Sequence, residues 1–230
     1  MLDLNPTPGH RRGFLGRLGA LAALGLVGGS RELLAAPANR RHADRLEPDE
    51  EWLNRLHGKH RQLFDMPNHE NGLGLLHVRN WLTTYNDAYH VPDSDLNAVG
   101  TFYGKTIPLG FTDEMWAKYP LGAAIEVTDP ATKAPMTWNM FLHPREGDPF
   151  AFGFFDSSIE ALMRRGTTFI LCNNALNIWV GRLAQGGLGT AEAIRADLVA
   201  HLIPGVVIVP AMVIAINKAQ ERGLSYMKLG

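Results

Sequence analysis

The chain has 230 residues, 46% of them hydrophobic and 20% charged, with a formal net charge of -1 and a single cysteine. That size and balance suit a globular protein with one substantial core. They leave no basic footprint for nucleic acid, and one cysteine cannot close an internal disulfide.

Residues 1–38 read as a targeting segment. Arg11-Arg12-Gly13-Phe14-Leu15 resembles the twin-arginine export motif, a Gly- and Ala-rich apolar stretch follows at 18–27, and Ala36-Pro37-Ala38 has the small-x-small cleavage pattern. Cleavage there would remove Arg11, Arg12, Arg17 and Arg31 with Asp3 and Glu32, leaving a slightly more acidic chain. The apolar stretch is about half of the ~20 residues needed to span a bilayer. The expectation is a cleaved signal, a periplasmic or otherwise exported protein, and no stable membrane span afterwards. In an oxidising compartment a lone thiol is free, modified or joined to another molecule.

Residues 39–60 are polar and charge-rich, and read as a linker or docking arm with a short helix near Glu50. His57 and His60 stand three apart but lack a third ligand, so no metal site is expected, and no cofactor. From residue 61 the chain reads as one α/β domain. A first strand covers 62–66 and a loop 67–74, in which Gly72-x-Gly74 is a turn rather than a complete phosphate-binding fingerprint, since His77 occupies the place of its third glycine. Leu75, Val78, Leu82, Tyr85 and Tyr89 step through an amphipathic helix. A second strand follows at 96–103, a helix at 107–119 and an extended piece at 122–128. The stretch 129–155 holds four prolines among many aromatic residues, which disfavours both helix and disorder and suggests an ordered insertion.

Ser157-x-x-Glu160 has the capping-box pattern, and opens a helix that Gly166 ends. Residues 167–171 form a buried strand, after which Leu176, Trp179, Val180 and Leu183 recur at helical spacing, with Asn173 or Asn174 as the expected cap. Cys172 therefore lies where the carboxyl end of a strand meets the amino end of a helix. Free N–H groups and the helix dipole favour an anionic sulfur there, so the thiol is expected to be accessible and reactive. The opposing reading is a small buried residue that closes the strand. Beyond it come a glycine connector at 186–189, a helix capped by Thr190, a strand at 206–209, a helix opened by Pro210 and ended by Gly223, and an edge strand at 224–229. Continuous apolar strands alternating with helices predict a doubly wound, mostly parallel sheet with sites along its carboxyl edge.

Three segments carry a family resemblance: residues 96–103, Gly166-Thr-Thr-Phe-Ile-Leu-Cys-Asn-Asn-Ala-Leu176, and Leu202-Ile-Pro-Gly-Val-Val-Ile-Val-Pro-Ala211 with the ending Gln220-x-x-Gly223-x-x-Tyr226. Together they resemble the DsrE/DsrF sulfur-relay family. The resemblance implies a DsrE-like, flavodoxin-like three-layer sandwich, association into homo-oligomers, and Cys172 as a persulfide carrier that accepts sulfane sulfur and passes it to a partner thiol, with a protein thiol or a small sulfur donor as partner. The export signal and the absence of a second cysteine depart from that family, and the 129–155 insertion is longer than a minimal member needs.

Two other readings stand beside this one. In the first, the fold is a non-catalytic binding or assembly module with a structural cysteine. In the second, the protein is a Cys-His thiol enzyme, for which His77 is the candidate partner of Cys172. Asn173 and Asn174 are candidate donors to a bound anion.

Overall fold

A computed structural model describes residues 50–230. The expected leader at 1–38 and positions 39–49 of the arm lie outside the described residues. The chain runs through α1 (Glu51–Asn54), β1 (His60–Asp65), α2 (Leu73–Tyr89), β2 (Leu96–Phe102), α3 (Asp113–Lys118), α4 (Leu121–Ala124) and α5 (Ile159–Arg164). It continues through β3 (Thr168–Cys172), α6 (Asn173–Gln185), α7 (Ala191–Ala200), β4 (Val207–Val209), α8 (Met212–Glu221) and β5 (Ser225–Lys228). All five strands are parallel, in the order β4-β3-β2-β1-β5. From β1 the chain steps outward to β4, then returns across the sheet to place β5 against the free side of β1. This is a doubly wound α/β sandwich, as the alternation of apolar strands and helices predicts.

Strand side chains alternate between the faces of the sheet, so each strand feeds two cores. Phe64, Ala98, Phe102, Phe169 and Leu171 enter the larger core, which α2, α5, α6 and α7 complete. Leu63, Val99, Ile170, Cys172 and Val209 enter a smaller core on the other face. Its cover is α8, through Met212, Ala215 and Ala219, together with Trp52, Leu53 and Leu56 at the start of the domain. The segment around α1 is thus a docked cover for the sheet: Trp52 and Leu53 are only 2% and 3% exposed. Burial of side chains this large is worth about 1.5–3 kcal/mol each.

The insertion is divided. Phe141 and Phe150 are fully buried in the larger core, whereas Phe152 is 84% exposed. Phe150 lies so close over Gly72 that a Cβ there would come within 2.5 Å of its ring, and Gly72 also has φ +91°. The glycine of the expected turn is therefore required twice, by backbone conformation and by packing.

Several local expectations are corrected. Residues 107–119 do not form one helix: a 3-10 segment covers Gly104–Gly110, Phe111 is extended, and α3 starts only at Asp113. The buried Asn139 carboxamide donates to the carbonyls of Leu109 and Phe111 at 3.0 and 2.7 Å, taking acceptors that a continuous helix would use. Part of the piece expected to be extended at 122–128 is helical, within α4. The cap of α5 is Ser158, one residue later than the capping-box pattern suggests, with its hydroxyl accepting from the N–H of Ala161 at 3.3 Å. Pro210 stands just before Ala211, the cap of α8, and not inside its first turn.

Candidate functional site

Cys172 ends β3 and is itself the cap of α6, replacing the expected Asn173 or Asn174. Its Sγ accepts the N–H of Ala175 at 3.5 Å and the N–H of Met212 at 3.3 Å. One sulfur therefore meets the amino ends of two helices, α6 and α8. The accessible thiol expected from the sequence is not what the structure has. Cys172 follows Ile170 by two positions, so it points to the same face, into the smaller core, and is 6% exposed.

Pairing register brings further side chains to this corner. Cys172 pairs with Val209, and Leu171 with Phe102, which sets Tyr103 beside the cysteine on the same face. One row below, Asp65 and Thr101 stand at the ends of β1 and β2. Asp65 is 3% exposed. Its carboxylate accepts the hydroxyls of Thr101 at 3.2 Å and Tyr226 at 2.6 Å. This buried carboxylate has no cation partner among the described residues, and hydroxyl donors replace its lost water. The Tyr226 hydroxyl is pushed up to about 12 by its bond to Asp65, with burial second. Tyr103 is raised further, first by burial and then by hydrogen bonding and charge from Asp65, with Tyr226 and Cys172 adding to it. Both phenols are proton donors throughout the neutral range. Sequence reading missed Asp65, Thr101 and Tyr103 as site residues. The one signal available was an acid closing the apolar run Leu63-Phe64 at a strand's carboxyl end.

Beside this corner lies a cleft of ≈ 540 Å³ lined by Pro67, Asn68, Tyr103, Gly104, Lys105, Ala124, Ala175, Ile178, Trp179 and Arg182. Its loops are tied together. The Thr106 hydroxyl donates to the carbonyl of Met66 at 2.7 Å, the Lys105 N–H to Pro67 at 2.9 Å, and the Trp179 indole N–H to the carbonyl of Gly104 at 2.9 Å. Gly104 has φ +61°, and a Cβ there would sit 3.0 Å from the carbonyl oxygen of Pro67. The cleft is thus a preformed feature of the carboxyl edge, where open α/β sheets bind their ligands.

The other candidate residues are dispersed. Asn173 is buried, with its Oδ1 held by the Arg195 guanidinium at 2.7 Å, while Asn174 is exposed. His77 lies on α2, which packs on the opposite face of the sheet from Cys172, and lines a groove with Trp81, Tyr85 and Met227. The Cys-His pair therefore does not form. The His60 ring lies against that of Tyr85, tilted, with centroids 4.5 Å apart, and His57 is exposed. Among the described residues no group of His, Cys, Asp or Glu could hold a metal ion, and no helix is long and apolar enough to cross a membrane.

No family model matches the chain, and no curated protein does. Among solved structures, it is similar to the protein of unknown function MTH1491 from Methanobacterium thermoautotrophicum. The two are 15% identical, with a TM-score of 0.38 over 74% of this chain and 99% of that one.

Proposed function

We propose that the protein is an exported, DsrE-like sulfur carrier in which Cys172 takes up sulfane sulfur as a persulfide. The observation that carries this reading is the position of Sγ, at the carboxyl edge and facing the N–H groups of Ala175 and Met212. Two helix amino ends provide the partial positive charge that an anionic thiolate or persulfide needs. In the step, the thiolate attacks a sulfane sulfur of a polysulfide. The new S–S bond forms as one in the polysulfide breaks, and the shortened polysulfide leaves with the electron pair, so no external oxidant is consumed. Because the cysteine is buried, a small donor suits it better than a protein thiol that must reach it directly. The twin-arginine motif supports a periplasmic or otherwise exported setting for this chemistry, and association into a homo-oligomer belongs to the same reading.

The second reading, a binding or assembly module with a structural cysteine, is favoured by the 6% exposure of Cys172. Mass spectrometry after treatment of the folded chain with polysulfide separates the two. Adducts of about 32 Da per sulfur on the peptide containing Cys172 support the carrier. A thiol that takes up sulfur only after denaturation overturns it in favour of the module.

A further inference from the structure

We propose that the cleft beside Tyr103 is the binding site for a small sulfur-bearing anion, thiosulfate or a short polysulfide, held next to Cys172. The inference rests on the carrier reading and names its donor class. Three observations converge on it.

The first is charge. Lys105 and Arg182 are the charged side chains lining the cleft, and no carboxylate is among the lining residues. Lys105 has one exposed partner, Glu126 at 3.3 Å, while the Arg182 guanidinium has no ion pair or hydrogen bond among the described residues. A guanidinium left free at the mouth of a cleft attracts an anion and can grip two of its atoms.

The second is the chemistry of the remaining wall. Pro67, Tyr103, Ala175, Ile178 and Trp179 present apolar and aromatic surface. Polarisable sulfur gains from contact with aromatic rings, whereas a strongly hydrated oxyanion such as sulfate loses water there without replacement. The mixture of two cations and an aromatic wall therefore selects an anion with a soft sulfur end.

The third is contiguity with the thiol. Tyr103 and Ala175 line the cleft and also pack against the smaller core that contains Cys172. The N–H of Ala175 is the one that donates to Sγ. Tyr103 is half-buried and is shared by the cleft wall and the core that holds Cys172.

The test is calorimetric titration of the full chain with thiosulfate and with tetrasulfide, repeated on Arg182→Gln, Lys105→Gln and the double variant. Both substitutions are at exposed positions, so the fold is retained. Binding should weaken at least about fivefold in the double variant, and an equal concentration of sulfate should not displace thiosulfate. Absence of binding, equal binding to the double variant, or displacement by sulfate overturns the proposal. The rate of persulfide formation on Cys172, measured in parallel, separates this from the carrier reading. Adducts that form at an unchanged rate in the double variant remove the cleft and keep the carrier. Cation-dependent thiosulfate binding without adducts does the reverse.

Discussion

The backbone N–H of Met212 donates to Sγ of Cys172 at 3.3 Å, joining the end of β3 to the start of α8. The cysteine is thus a structural acceptor at the junction of β3, α6 and α8. Cys172→Ala leaves the N–H groups of Ala175 and Met212 without that acceptor, and should cost about 2 kcal/mol in urea denaturation. Cys172→Ser keeps an acceptor and should recover part of the loss while abolishing persulfide adducts. Alanine and wild-type chains of equal stability would show that the sulfur holds neither helix.

His69 couples the edge loops to pH. Its Nδ1 accepts the N–H of Asn71 at 3.1 Å and its Nε2 bonds the carbonyl of Ile125 at 2.9 Å, an arrangement that suits the neutral ring with its proton on Nε2. Burial is the main cause that lowers its pKa from 6.5. The unfolded chain therefore binds the proton first, and stability falls as pH drops from about 6.5 through the lower folded value. Thermal melts between about pH 7.5 and 5.5 should show that decline, and His69→Gln should flatten it.

Asp93 works in the other acid window. Arg165 grips it with Nε on Oδ2 and Nη2 on Oδ1, both at 3.0 Å, and also bonds Thr83 and Asn86, fastening the end of α5 to α2. The Arg165 hydrogen bond is the main cause that lowers the Asp93 carboxyl below 3.8. Its contribution is present above the unfolded pKa and is lost as pH falls through the folded one. Asp93→Asn should cost about 1 kcal/mol at neutral pH, since the pair is partly exposed and solvent-screened, and should weaken the acid dependence of urea midpoints.

At the alkaline end, Tyr226 reports on Asp65. Spectrophotometric titration should show a phenol ionising near about 12 that is absent in Tyr226→Phe. The raised folded value means that its stabilisation is complete below pH 10, the ordinary tyrosine value, and is lost as pH rises through that of the folded chain. If Asp65→Asn leaves this titration unchanged, the carboxylate is not its cause.

Much of the architecture could be read along the chain because strand, turn and cap signals are local. The apolar run ending at Cys172, the helical spacing from Leu176 to Leu183, and the stop at Gly166 are each contained in a few neighbouring residues. Where a distant group competes, local reading fails. Asn139 removed the acceptors of the helix expected at 107–119, and the sulfur of Cys172 displaced Asn173 and Asn174 as the cap.

The candidate site was less legible. Its strongest acid–hydroxyl contact joins Asp65 to Tyr226, from opposite ends of the domain, and only the order β2-β1-β5 brings Tyr103 and Tyr226 to the same carboxylate. By itself the sequence determined that one cysteine would stand at the carboxyl end of a parallel strand and at the head of a helix. The tertiary structure decided which face its sulfur takes, that α8 and the segment around Trp52 close over it, and which hydroxyls stand beside it. A strand's periodicity is written in adjacent residues, but the groups that cover its end come from wherever the chain returns.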